Sequence, residues 1–178
     1  MGKKQYFGIL ILILISAFLG GSVRAGNLEW FASAYPICDF DGQTPLWGSF
    51  NNSGCLAQLI WVGPNGKIEP PAIDGSPGGD DLLVEDSTGG QNPTWIGHGL
   101  GPGGWDIGKF FVSDITYSLP AGSYVYCRAF NTSSEWIGPG VHYGESSLYR
   151  LTGAVGESWD VTGQGSFSTN QVLSRENE

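Results

Sequence analysis

Positive charge is scarce in this sequence. Eight lysines and arginines stand against 17 acids in 178 residues. Three of the eight, Lys3, Lys4 and Arg24, precede Gly26, and every acid follows it. Residues 26–178 therefore carry five basic and 17 acidic side chains, a net charge of −12. Such a chain repels phosphate backbones and anionic membranes, which excludes nucleic acid as an expected partner. Histidine is scarcer still, with only His98 and His142. Neither has a second histidine or a cysteine nearby, so a zinc site of three or four such ligands is not expected, and both are read as structural. No serine sits in the strand-turn-helix setting of a G-x-S-x-G nucleophile. Long hydrophobic runs are also missing, apart from Ile9–Leu19 near the start. That run is shorter than the roughly 20 residues that span a bilayer. After Gly26 almost no segment keeps an apolar period of 3.6 long enough for a helix.

The short apolar run has a different use. Lys3 and Lys4 precede it, and Val23-Arg24-Ala25 follows with small residues where a signal peptidase reads. Residues 1–25 are therefore expected to be a signal peptide. Residues 26–178 are expected to form a single β-sandwich domain, secreted to the extracellular space or periplasm, with no membrane span once the signal is removed.

Glycine is abundant, at 29 of 178 residues against a usual share of about 7%. Seven tryptophans and a low charge content of 14% argue against disorder. Short strand-like runs recur at Leu28–Ala34, Leu46–Phe50, Leu56–Val62, Leu82–Glu85, Lys109–Thr116, Tyr124–Phe130, Ser147–Thr152 and Ser158–Thr162. Turn formers such as Asp41-Gly42, Pro64-Asn65-Gly66 and Pro120-Ala121-Gly122 separate them. The pattern predicts an all-β fold, an antiparallel β-sandwich with long glycine-rich loops over 63–81 and 88–107. "GESSLYRLTG" and "GESWDVTG" echo each other and read as two adjacent hairpin strands.

Cys38 and Cys55 flank 16 residues rich in turn formers. In an exported chain they are read as a disulfide, closing a loop worth about 3 kcal/mol in the chain-entropy model. Cys127 remains. In "YVYCRAFN" it shares a face with Val125 and Ala129, which predicts a buried free thiol.

"LPAGSYVYCRAFN" followed by "YGESSLYRLTG" resembles the last two strands of a fibronectin type III or immunoglobulin-like sandwich. Leu119, Pro120, Tyr124, Arg128, Ala129 and Asn131 match in type, and the likeness covers residues 119–153. Tyr124 departs from it, being out of phase with Val125, Cys127 and Ala129. The resemblance implies an architecture and no activity. The chain also resembles exported β-rich proteins of bacteria, which adds no activity either.

Three groups of residues carry candidate chemistry. Gly99-Leu-Gly101-Pro-Gly-Gly104 has the form G-x-G-x-x-G, but no helix follows and Pro102 removes a donor, so a dinucleotide site is not expected. Asp39, Asp41, Asp74, Asp80 and Asp81 lie in glycine-rich turns that could wrap calcium, although Asp and Gly are also ordinary turn residues and no cofactor is otherwise expected. Trp95, Trp105 and Trp136 lie in or beside glycine-rich loops. They read first as plugs closing the ends of the sandwich, and alternatively as flat platforms for sugar rings. Trp30, Trp47 and Trp61 lie in strand runs and are expected in the core. No catalytic set emerges. The leading expectation is an exported non-catalytic protein with a structural or interaction role at the cell surface or in secreted material, with a protein or glycan partner. A carbohydrate-binding module is the alternative, and a glycoside hydrolase the third reading.

Overall fold

The computed structural model describes residues 26–50, 53–86, 92–100 and 107–174. Residues 1–25, expected to be a signal peptide, Trp105 and most of the glycine motif after Gly99 lie outside these residues. Twelve short strands follow in order: β1 Gly26–Ala32, β2 Gly48–Ser49, β3 Ser53–Gly54, β4 Leu56–Trp61, β5 Leu82–Leu83, β6 Thr94–Trp95, β7 Phe110–Tyr117, β8 Tyr124–Phe130, β9 His142–Glu145, β10 Tyr149–Arg150, β11 Glu157–Asp160 and β12 Gln171–Val172. A single 3-10 turn, Ser134–Trp136, is the only helical element among the described residues. No described helix is long and apolar enough to cross a membrane.

The strands form two main sheets. The smaller has the order β11-β1-β7, and the larger β12-β9-β8-β4-β5, with β6 also on β4 and β10 also on β8. The alternation expected from the sequence explains why they face each other. In β1, Leu28, Trp30 and Ala32 point inward, and in β7 Phe110, Val112, Ile115 and Tyr117 do the same. They meet Ala57 and Leu59 of β4 and Val125, Cys127 and Ala129 of β8 in one continuous core. The protein is thus all-β and built as a sandwich of mainly antiparallel sheets. A bulge interrupts the β1–β7 ladder. Leu28 pairs with Ile115 but Trp30 with Val112, and Asp114 takes up the extra residue at φ 56°.

Three features depart from the sequence reading. First, β11 pairs with β1 in parallel, so not every ladder is antiparallel. The two echoing segments consequently separate: β9 and β10 join β8 in the larger sheet, while β11 crosses to the smaller. The Glu157 carboxylate ties that crossing down, accepting bonds from Tyr117 Oη (2.9 Å), Tyr149 Oη (3.0 Å) and the Thr152 amide (2.8 Å).

Second, β8 is buried on both faces. Its outer face carries Tyr126, Arg128 and Phe130. Ile68 and Ile73 from the 63–81 loop pack over the outer-face apolar clusters, and Gln58 Nε2 donates to the Gly75 carbonyl at 3.1 Å. Arg128 is fully buried, with Nη2 2.6 Å from Glu145 Oε1 and a further bond to the Glu69 carbonyl. A long loop thus acts as a third layer over the larger sheet.

Third, no disulfide joins Cys38 to Cys55. All three cysteines are free and buried. Cys38 Sγ faces the Pro36 carbonyl at 3.8 Å, and the Cys55 amide is bonded to the Trp47 carbonyl. The short bridge of Cys38 to Pro45, with Cys55 tied to Trp47, closes this loop through its backbone. Burial pushes the Cys55 thiol up to about 12 and raises Cys38 and Cys127 as well, which keeps the reactive thiolate rare. Cys127 is as expected, a free thiol at 0% exposure in the core. It should resist iodoacetamide in the native protein and react only after unfolding. Rapid native alkylation at Cys127, read by peptide mass, would contradict its burial.

Candidate functional site

Of the two main cavities among the described residues, the smaller gathers the aromatic residues of interest. It has a volume of about 380 Å³ and is lined by Trp47, Ser53, Gly54, Leu56, Pro93, Thr94, Trp95, Ser133, Ser134 and Glu135. Four chain segments meet there. The β2–β3 hairpin supplies Trp47 and Ser53, β6 supplies Thr94 and Trp95, β4 supplies Leu56, and the 3-10 turn supplies Ser134 and Glu135. The hairpin reaches β6 because of two glycines. A Cβ at Gly48 or at Gly54 would collide with the Ile96 carbonyl, so only glycine permits this close approach.

The tryptophans differ in how they are held. Trp95 is half-buried and pairs with Leu56 across the β4–β6 ladder. Its indole N–H donates to the Ser49 carbonyl at 2.9 Å, and His98 stands edge-on to its ring with centroids 4.4 Å apart. The ring is therefore fixed before any ligand arrives. Burial lowers the His98 pKa, which favours a neutral, structural imidazole. Trp47 is 52% exposed, contrary to its expected place in the core. It directly precedes Gly48, where the chain packs closely on the Ile96 carbonyl. Trp136 is 73% exposed and follows Glu135 directly, so it is not a plug. Trp30 is fully buried as expected, and Trp61 is partly buried against the core.

Polar groups line the same groove. Thr94 is 1% exposed, and its Oγ1 has no hydrogen-bond partner. An unpaired buried hydroxyl is uncommon and calls for a partner such as water or a ligand. Ser133, Ser134 and Ser53 add hydroxyls, and Glu135 is the one charged residue of the lining. Rigid aromatic faces with a few hydroxyls and one carboxylate can stack on a ring and orient its polar groups. Of the expected platform of Trp95, Trp105 and Trp136, Trp95 lines the groove, Trp136 is not in its lining and Trp105 lies outside the described residues, while Trp47, Thr94 and Glu135 were not expected there. Gly48 and Gly54, spaced around the hairpin, were the available signal.

The larger cavity, about 690 Å³, lies by β5 and the end of β7 and is lined largely by apolar groups such as Trp61, Leu83, Val84 and Leu119.

The five acids expected in calcium-binding turns part company. The Asp41 carboxylate accepts bonds from the Gln43 amide, the Thr44 amide and Thr44 Oγ1, and these hold its carboxyl below the usual range. Asp74 does the same with the Ser76 hydroxyl and amide. Asp39 accepts from the Phe40 amide, Asn131 and Thr169. These three act as turn and loop acceptors. Asp80 and Asp81 instead converge with Glu69, which sequence reading did not select, so that one oxygen from each lies within 4.8 Å of the others. Comparison of the chain with protein-family models, with curated proteins and with solved structures finds no match.

Proposed function

We propose that this is an exported, non-catalytic binding protein that holds a neutral glycan in the groove between Trp47 and Trp95. The observation that carries the reading is that a fixed, half-buried indole and an exposed one line the same groove together with hydroxyls. Sugar rings offer apolar faces for the indoles and hydroxyls for Ser53, Ser134 and Glu135. A strongly acidic chain disfavours anionic polymers, which points to an uncharged glycan. A retaining or inverting glycosidase sets two carboxylates about 5–10 Å apart. The groove's described lining contributes Glu135 alone, which favours binding over turnover.

Within the sandwich, we assign the domain to the fibronectin type III or immunoglobulin-like architecture. The segment carrying that resemblance forms β8, in the interior of the larger sheet, with β9 antiparallel beside it. The structural or interaction role expected from the sequence becomes, in this reading, attachment to glycan at the cell surface or in secreted material.

A glycan array followed by calorimetry on the strongest neutral polysaccharide tests the proposal. Trp47→Ala should weaken binding by tenfold or more. Its melting temperature should stay within about 2 °C, because exposed substitutions change stability by only about 0.5 kcal/mol. Absence of binding to any neutral glycan at millimolar concentration would sink the reading. So would wild-type affinity in Trp47→Ala.

A further inference from the structure

The 63–81 loop folds back over the larger sheet and brings three carboxylates together. Glu69 comes from the middle of the loop, and Asp80 and Asp81 from its end. The chain must be compact here. Gly79 has φ +57°, and a Cβ on it would collide with the Glu69 carboxylate. Three like charges within 4.8 Å of one another repel strongly, more so where solvent is excluded. The nearby cation, Arg128, spends Nε and Nη2 on Glu145 and Nη2 also on the Glu69 carbonyl, and no hydrogen bond joins its buried Nη1 to any of the three carboxylates.

A second observation comes from Asp81 itself. The residue is 2% exposed. Its Oδ2 accepts bonds from the Glu69 amide (3.0 Å) and Tyr126 Oη (2.7 Å). Its Oδ1 is buried with no hydrogen-bond partner. A buried carboxylate oxygen without a partner is costly and asks for a cation or a donor. Asp81 also lines the larger cavity.

We propose that Glu69, Asp80 and Asp81 form a calcium site that clasps the 63–81 loop to the outer face of the larger sheet. Calcium–oxygen distances of 2.3–2.6 Å place two ligands on one ion at most about 5 Å apart, which matches the observed span. The surrounding bonds act as a supporting shell. Asn65 Nδ2 donates to Glu69 Oε1 at 3.0 Å and also to Asp80 Oδ1, and the Asp80 amide donates to Glu69 Oε2 at 2.7 Å. Calcium is the ion proposed because it accepts carboxylate oxygens in irregular geometry, whereas magnesium demands a near-ideal octahedron. Burial pushes the Asp81 carboxyl above the usual carboxylate range, against the opposing pull of its hydrogen bonds and Arg128. The site is independent of the glycan groove and stands whether or not that reading holds.

Thermal melting of the full chain in EGTA, in 10 mM calcium chloride and in 10 mM magnesium chloride tests the site. Extracellular calcium modules bind with dissociation constants of about 10⁻⁴ to 10⁻³ M. Near the tight end of that range, calcium should raise the melting temperature by roughly 5–10 °C and magnesium by less. Asp80→Asn and Glu69→Gln should each remove most of the rise, while melting in EGTA no lower than wild type, because each relieves like-charge repulsion. Asp41→Asn and Asp74→Asn should keep it. Identical wild-type melting in EGTA and calcium would overturn the proposal, as would a rise retained in both Asp80→Asn and Glu69→Gln or lost in Asp74→Asn. If Asp80→Asn melts far lower in EGTA yet keeps the calcium rise, the cluster is a hydrogen-bonded structural knot and the proposal fails. Should either variant not fold, calorimetric titration of the wild-type chain with calcium decides, since heat without saturable binding is again a negative result.

Discussion

Arg128→Met should destabilise the protein by about 3–5 kcal/mol, the usual consequence of removing one partner of a buried ion pair. In a domain of this size that lowers the melting temperature by roughly 10 °C or more. The cost lies less in lost attraction than in what is left behind. Glu145, 14% exposed at its side chain, would keep its charge with Gln171 Nε2 at 3.3 Å as its remaining side-chain donor among the described residues. The Glu69 carbonyl would lose its donor as well. Arg128 also lies over the Tyr126 and Tyr143 rings, at 5.3 and 5.6 Å from their centroids, so packing is lost too. The double variant Arg128→Met, Glu145→Met should recover much of the loss, because an apolar pair of similar volume carries no stranded charge. Chemical denaturation of the three proteins measures this. A single variant within 1 kcal/mol of wild type would mean that the outer layer does not seal Arg128 from water.

Trp30→Ala should cost a comparable amount, about 3–5 kcal/mol, as for other buried aromatics cut to alanine. Trp30 is fully buried between the two sheets and stands edge-on to Phe110 with ring centroids 4.6 Å apart. Its Nε1 has no hydrogen-bond partner. Trp30→Phe deletes that unpaired donor and keeps most of the ring, so it should cost well under half as much. Trp136→Ala is the matched control. At 73% exposure it should change stability by no more than about 0.5 kcal/mol. Urea melts of the three variants would check the ordering. If Trp136→Ala proved as damaging as Trp30→Ala, the loop tryptophan would have to be a plug after all.

The contrast between these two tryptophans shows how far the sequence reaches. In β1, Leu28, Trp30 and Ala32 alternate with Glu29 and Phe31, and a period of two assigns Trp30 to one face without any knowledge of its partners. The same rule put Val125, Cys127 and Ala129 together, and they lie together in the core. Each of the eight strand-like runs overlaps a strand of the structure. β3, β6, β9 and β12 escaped because they are two to four residues long or broken by glycine, as at Gly144, too short for a period to register.

Local pattern fails where distant segments meet. Nothing in "PLWGSF" distinguishes an inward Trp47 from an outward one, since its exposure follows from two glycines docking on the Ile96 backbone. Arg128 sits at a position that alternation marks as outward, and only the return of the 63–81 loop turns that face into an interior. The acids behave likewise. Asp41 and Asp74 find their donors two or three residues away, as turn chemistry dictates, whereas Glu69 meets Asp80 and Asp81 through the path of a loop. The sequence by itself determined the all-β class, the inward face of each main strand and the acidic character. The tertiary structure alone decided which sheet received β11, which tryptophans stayed in solvent and which carboxylates converged. Side-chain alternation is a property of neighbouring residues, while loop closure and sheet choice are set by packing between segments far apart in the chain.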